Sequence, residues 1–219
     1  MGPLKKVSEA AARALKIFPL PTAVLFPNTA VPLHIFEPRY RDLVRDALAS
    51  DQVMALGLLE PGWERDYYGR PRIGPVCCAG VIARHESLPD GRFLVVVEGL
   101  ARARIEAELP TGHRYREVRA QILSDPEYAG SEDEELREGA LELASLLPAP
   151  VAQEFLHQAA LHKGGALADV VASSVVEDAG RRRRIFEELD VGRRLSLVLA
   201  DVSAVIVRAD AGRPHPMPN

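Results

Sequence analysis

The sequence predicts an α+β protein in which a small antiparallel β-barrel is followed by an α-helical bundle. Two observations support this fold class. From Ala101 to Leu109 apolar and charged residues alternate strictly, which is typical of a half-buried β-strand. Beyond Asp125-Pro126 the apolar residues recur at helical spacing instead. The change of period places the boundary between the two kinds of structure near Asp125.

Four segments follow from that boundary. We expect a flexible N-terminus over residues 1–14, a β-barrel domain over 15–124 and a helical bundle over 125–209. Residues 210–219 contain three prolines and no apolar periodicity, so the sequence predicts a disordered tail there.

Short apolar runs bounded by turn residues predict seven strands before the boundary. One helix interrupts them, because Pro38 suits a first helical turn and an apolar stripe follows it as far as Ser50. Leu88–Gly91 has the proline and glycine of a tight turn. Many short strands with one inserted helix favour a small antiparallel barrel. The predicted strands are residues 16–20, 31–36, 53–59, 76–85, 92–97, 101–109 and 115–123.

Four helical segments are predicted after the boundary. Ser131–Glu134 fits a capping box, with acids in the first turn where the helix dipole favours them. Pro148 and Pro150 end the first segment, and Gly164–Gly165 stops the second. The fourth segment is long, and we expect a break near Asp190–Gly192. Short connections favour antiparallel neighbours in a bundle.

Composition narrows the functional classes. The chain has 219 residues, of which 47% are hydrophobic and 26% charged, so it can form a sizeable core. Its net charge of −4 argues against a general binder of nucleic acid or anionic membranes. No uncharged apolar run reaches the ~18–20 residues of a membrane span, and Met1–Lys16 lacks the apolar block of a secretory signal. The sequence therefore predicts a cytoplasmic protein.

The motifs of the common catalytic classes are missing. The sequence contains neither the G-x-x-x-x-G-K-[ST] phosphate loop nor the G-x-S-x-G nucleophile motif. His157 and His162 are five residues apart and fall on different helix faces, which does not suit a metal pair. We therefore predict a protein that is not an enzyme and that holds no metal or cofactor.

Two conspicuous runs have structural interpretations. Cys77 and Cys78 are adjacent in a predicted strand and point to opposite faces, so we expect one buried and one partly exposed thiol rather than a shared ligand site. Arg181–Arg184 spans all faces of a helix, so these arginines do not form one phosphate-binding patch. Acids on both sides of the run favour a solvated, salt-bridged helix.

The loop from Glu60 to Pro75 holds three large aromatic residues, Trp63, Tyr67 and Tyr68. Long loops in compact domains are often functional, and Trp and Tyr are common recognition residues. Alternatively, Trp63 closes the end of the barrel as a lid on its core, since amphipathic rings suit both roles. The sequence leaves both possibilities open.

Three short segments of the first half follow the pattern P-L…V-x-F-P…P-L, namely Ile17–Leu20, Val24–Pro27 and Val31–Leu33. This pattern resembles the opening of the N-terminal domain of Lon protease. Leu88–Gly91 together with Val95–Arg102 matches "L-P-D-G…v-x-V-x-G-x-x-R", the most specific segment.

The resemblance extends over nearly the whole chain. His34–Arg41 is similar to the stand-alone bacterial members of that family, and Ile73–Gly74 with Ala79–Ile82 matches a family strand. The helical half is similar more loosely, through Leu167–Asp169 and Leu189–Leu195. The resemblance implies a PUA-like β-barrel and then a helical bundle, in a region that in full-length Lon recognises substrates and helps assembly. It implies neither the AAA+ motor nor the serine–lysine peptidase within this chain.

The leading functional hypothesis is a non-catalytic module that binds unfolded or extended polypeptides in protein quality control. A separate protease or chaperone is a further expected partner. Such binding needs exposed apolar area and a usable edge or groove. Ordinary burial preferences favour core packing for Leu33 and Phe36. The candidate binding residues are Phe26, Pro32, Leu33, Phe36, Trp63, Tyr67 and Tyr68.

Two alternatives remain at this point. Other PUA-like barrels bind RNA, and six arginines of the first half could contact phosphates, although the acidic net charge opposes this. The other alternative is a component of an ATP-dependent peptidase, which rests on the family name alone. The six arginines are Arg39, Arg41, Arg45, Arg70, Arg72 and Arg84.

Overall fold

The computed structural model describes residues 7–211. The chain divides into two compact units, Met1–Ser124 and Asp125–Asn219. The first unit contains six strands and two α-helices within the described residues, and the second contains five helices. The predicted fold class, a β-barrel followed by a helical bundle, is confirmed.

The elements of the first unit follow the predicted order. A short 3₁₀ turn, Trp63–Asp66, lies in the long loop between the third and fourth strands. The elements are α1 (Glu9–Arg13), β1 (Leu15–Leu20), β2 (Ala30–Ile35), α2 (Pro38–Leu48), β3 (Val53–Leu59), β4 (Ile73–Ser87), β5 (Phe93–Leu109) and β6 (Arg116–Ile122).

The strands form one sheet in the order β2-β5-β4-β3-β1-β6, and β5 also pairs with β6. That last pairing closes β5, β4, β3, β1 and β6 into a barrel, while β2 is added outside it along the first half of β5. One pairing departs from the antiparallel prediction, since β1 and β3 run parallel. Parallel neighbours need a crossover connection, and β2 with α2 supplies it.

The predicted strands 92–97 and 101–109 form the single long strand β5. Ala79 of β4 lies opposite Ala101, whereas Gly80 lies opposite Gly99, so Leu100 is an extra residue in a β-bulge. A Cβ on Gly99 would lie 2.2 Å from the carbonyl oxygen of Phe26. Only glycine fits this close approach of two backbones.

Both cysteines of β4 are buried, so the expectation that one thiol is partly exposed is wrong. Cys77 belongs to the interior cluster that contains Ile17 and Ala103. The opposite face of β4 is also covered, since Leu25 comes close to Gly80 there. Burial raises the pKa of the Cys77 thiol to about 12, which keeps it protonated near neutral pH.

The structure places the short helix α1 within the span 1–14, for which the sequence predicts flexibility. Ser8 begins α1, and its hydroxyl accepts a hydrogen bond from the Ala11 amide at 3.1 Å. Ala11 and Ala12 are buried, and the helix packs on β6. The small side chains of these two alanines let the helix approach β6 closely. Residues 1–6 lie outside the described part of the chain.

As far as residue 211, the second unit is a bundle of five helices. The predicted break near Asp190 is confirmed, because it separates the last two helices. Two residues of the predicted disordered tail, 210 and 211, belong to the final helix, and the remainder, 212–219, lies outside the described residues. The helices are α3 (Glu132–Ala144), α4 (Ala149–Leu161), α5 (Gly164–Val175), α6 (Ala179–Glu187) and α7 (Val191–Ala211).

The capping box predicted at Ser131 does not form. The Ser131 backbone is helical rather than extended, and its hydroxyl donates to the Glu135 carboxylate at 2.9 Å. An N-cap hydroxyl accepts from the first helical amides only when its own backbone is extended. The acidic first turn, Glu132–Glu135, is present as predicted.

The arginine run is salt-bridged as predicted. Arg181 pairs with Asp201 at 2.5 Å, and Arg183 pairs with Glu187 at 2.9 Å. A further arginine of this unit, Arg194, is fully buried. Across residues 7–211, no helix has both the length and the apolarity needed to cross a membrane.

Candidate peptide-binding surface

The three aromatic residues of the long loop form one cluster. The Trp63 and Tyr67 rings meet edge-on with centroids 5.5 Å apart, and those of Tyr67 and Tyr68 do so at 5.2 Å. Tyr68 is 89% exposed, while Trp63 and Tyr67 are half-buried. The loop therefore presents a connected set of rings to solvent.

Residues at the start of α2 hold this loop in place. The Tyr67 hydroxyl donates to Glu37 at 2.5 Å, and the Arg39 guanidinium donates to the same carboxylate at 3.0 Å. Arg39 also donates to the Tyr67 carbonyl at 3.3 Å and lies over the Tyr67 ring. The hydrogen bond to Glu37 raises the pKa of Tyr67. These contacts fix the loop against the start of α2, which follows Phe36 directly in the chain.

The outward face of β2 supplies the second part of this region. Phe36, just after the strand, is 57% exposed, and its ring lies 5.9 Å from that of His34. His34 lies opposite Leu94 of β5, and Leu94 is 42% exposed. Pro32, also exposed, lies two residues before His34 on the same face of the strand.

We use the name aromatic surface for the exposed and half-exposed side chains of the loop, β2 and β5. It contains one histidine, His34, and its other side chains are apolar or phenolic. Its members are Pro32, His34, Phe36, Trp63, Tyr67, Tyr68 and Leu94.

The structure divides the residues that the sequence singled out. Five of them, Pro32, Phe36 and the three loop aromatics, belong to the aromatic surface. Leu33 is half-buried, on the opposite face of β2 from Phe36. Phe26 is 0% exposed and cannot contact a ligand, so the prediction that it is a binding residue is wrong.

The expectation of core packing for Phe36 is also wrong, for a geometric reason. Successive residues of a strand point to opposite faces, and the buried neighbour Ile35 takes the inward position. His34 and Leu94 were missed by sequence reasoning. Only the β2–β5 register brings them together, and an apolar residue at an exposed strand position gives no signal in a single sequence.

Four of the six arginines considered for RNA binding form salt bridges with carboxylates. Arg39 pairs with Glu37, and Arg70 pairs with Glu108 at 2.7 Å. Arg45 and Arg72 also pair with carboxylates, those of Asp42 and Glu60. Neutralised arginines contribute little to attraction of a phosphate backbone. Within residues 7–211 no group of three His, Cys, Asp or Glu side chains could hold a metal ion.

The fold and the surface define a class of protein: a mixed β-barrel with an added edge strand, followed by a helical bundle. Solved structures with this fold include two domains of Lon type. The N-terminal domain of Mycobacterium avium complex Lon protease aligns with a TM-score of 0.70 and 18% identity, over 87% of this chain and 98% of that one. The Lon N-terminal domain protein from Xanthomonas campestris aligns with a TM-score of 0.62 and 22% identity, over 85% and 97%.

The family is shown by sequence. The sequence model of the ATP-dependent protease La (LON) substrate-binding domain matches residues 14–202, and the chain belongs to this family. Lon protease 1 of Syntrophobacter fumaroxidans is 30% identical over 209 residues, which are 91% of this chain and 25% of that protein. Lon protease 2 of Myxococcus xanthus is 29% identical over 85% of this chain and 23% of its own length. The chain thus spans about a quarter of these relatives.

Proposed function

We propose that this chain is a non-catalytic recognition module that binds unfolded or extended polypeptide segments at the aromatic surface. The observation that carries the proposal is the exposure of the large rings of Phe36 and Tyr68, in a family described as substrate-binding. A large exposed ring costs solubility, and clusters of such residues mark interaction sites.

The shape of the surface suits an extended chain. Strand β2 pairs with β5 alone among the described residues, so its outer edge is available to a further strand. An added strand gains main-chain hydrogen bonds at the edge, and its side chains find apolar contacts on the adjoining face. Pro32 lacks an amide and limits this pairing, which opposes uncontrolled aggregation along the edge.

The aromatic side chains are also suited to partners of varied sequence. Trp and Tyr provide large contact areas with few rotatable bonds, so that binding costs little conformational entropy. The Glu37 and Arg39 contacts with Tyr67 reduce this cost further by holding the loop before a ligand arrives. We propose that a bound polypeptide is passed to a separate protease or chaperone in the cytoplasm.

The test is the affinity for a reduced and alkylated unfolded protein, measured by fluorescence anisotropy of the labelled ligand. Phe36→Ala and Trp63→Ala should each weaken binding by about 5- to 30-fold, the effect of losing 1–2 kcal/mol from an aromatic anchor. Leu141→Ala is the matched control, because Leu141 is 59% exposed but lies in the helical unit. Equal losses in all three variants, or no loss in any, would contradict the proposal.

The same variants decide between the two roles open to Trp63. As a half-exposed ring on Tyr67, it should contribute less than about 2 kcal/mol to stability, whereas a buried tryptophan contributes ~3–5. Thermal unfolding followed by far-UV circular dichroism measures this contribution. A loss of several kcal/mol in Trp63→Ala would make the residue a lid on the barrel core and remove it from the proposed site.

A further inference from the structure

The helical unit contains a large open cleft. Its volume is about 1420 Å³, which exceeds the ~300–1,000 Å³ of sites for small molecules. Helices α4 and α7 both contribute to its lining, together with the C-terminal ends of α3 and α5. The apolar part of the lining includes Leu143, Val151, Phe155, Val175, Ala204 and Val205.

The packing of the bundle leaves this cleft incompletely filled. Helix α4 packs on α3 and α5, and α7 packs on α3, α5 and α6. Val151 of α4 is 53% exposed, and Ala204 of α7 is exposed as well. An apolar trough between helices of a bundle has the width and chemistry that one more amphipathic helix fills.

The charged residues that line the cleft indicate which charge its occupant carries. Arg181 and Asp201 form an ion pair at 2.5 Å and neutralise each other. Of the remaining charged lining residues, Glu154, Glu177 and Asp178 are acidic, and Arg208 alone is basic. The cleft therefore combines an apolar floor with a net negative rim.

We propose that this cleft docks an amphipathic helix of a partner protein, with apolar residues at i, i+3 or i+4 and i+7 flanked by lysine or arginine. The apolar residues occupy the floor, and the basic residues meet Glu154, Glu177 and Asp178. The inference is independent of the aromatic surface, because every residue involved belongs to the helical unit.

The test uses two labelled peptides of roughly 18 residues, long enough to form a helix on binding. Both carry leucines at the stated spacing, and they differ only in having lysine or glutamate on the flanks. The full chain should bind the lysine peptide at least about tenfold more tightly than the glutamate peptide, and salt should reduce this difference.

Three variants test whether the lysine peptide binds in the cleft. Ala204→Glu places a larger, charged side chain on the apolar floor, where the leucines of the peptide would pack, and should weaken the lysine peptide about tenfold. Glu154→Lys reverses a rim charge and should weaken it by a similar factor. Val207→Glu is the matched control, since Val207 is 67% exposed on the same helix and is not part of the lining. Circular dichroism verifies that each variant is folded.

Three results would overturn the inference. Equal affinity for the two peptides contradicts the charge selection. An equal loss in Val207→Glu contradicts the location. Concentration-dependent dimerisation of the wild type that Ala204→Glu abolishes, detected by sedimentation, would make a second copy of this chain the occupant. Phe36→Ala should bind the lysine peptide like the wild type, because the aromatic surface is not part of the cleft.

Discussion

Replacing Arg194 by alanine should destabilise the helical unit by about 3–5 kcal/mol, the cost of breaking a buried ion pair by removing one partner. The side chain is 0% exposed, although it carries a full charge. It bonds to Asp125 at the start of the unit, donates to the Glu188 carbonyl at 3.2 Å, and lies 3.7 Å from the buried Asp169. Its loss removes the guanidinium charge that lies beside the buried Asp169 carboxylate.

The neighbouring residue provides a control for this prediction. Arg193 precedes Arg194 on α7 and is exposed, so Arg193→Ala should change stability by less than about 0.5 kcal/mol. Denaturant unfolding followed by far-UV circular dichroism compares the two variants, because the helical unit supplies most of the helix. Similar midpoints for Arg194→Ala and the wild type would show that this buried network does not hold the unit together.

A second large effect is expected in the barrel. Phe26→Ala should cost about 3–5 kcal/mol, because the ring is fully buried and its removal leaves a cavity. Phe36→Ala removes the same atoms ten positions later from a largely exposed site, and should cost less than about 1 kcal/mol. Because both variants make the same Phe→Ala change, the difference in their loss of stability reports whether each ring lies in the core or at the surface.

The fluorescence of Trp63 follows the barrel selectively, since the only tryptophan lies in that unit. Urea titration of both variants gives the loss in the free energy of unfolding for each one. If Phe26→Ala retained wild-type stability but bound unfolded protein weakly, the residue would be a ligand contact and its burial would be misassigned. A comparable loss of stability in Phe36→Ala would show that Phe36 belongs to the core.

Much of the fold is predictable because its elements have local causes. Strand β3 was predicted at its observed bounds, Val53–Leu59, and α2 begins at the predicted Pro38. The parallel pairing of β1 with β3 was not predictable in the same way. It depends on which distant strands meet once the barrel closes, and no local residue preference encodes that choice.

The candidate surface was predictable only in part, for the same physical reason. The loop aromatics are conspicuous in the sequence, and they do form a cluster. Phe26 and Phe36 sit in similar proline-flanked runs, yet one is buried and the other exposed. Neither lies within a strand, and packing against residues far along the chain, such as Gly99 beside the Phe26 carbonyl, decides which of them is covered. Arg194 lies in the segment Leu189–Leu195 that resembles the family, yet the sequence did not indicate its burial, since burial of a charge depends on partners far along the chain.

The most direct measurement is a backbone amide NMR titration of the full chain with a proline-containing apolar peptide that has no lysine or arginine. Our account predicts that the shifted signals cluster at residues 30–36, 63–68 and 93–96, and that Phe36→Ala weakens the interaction while Leu141→Ala does not. Shifts confined to the helical unit, or no shifts at millimolar peptide, would contradict the claim that the aromatic surface binds extended polypeptides.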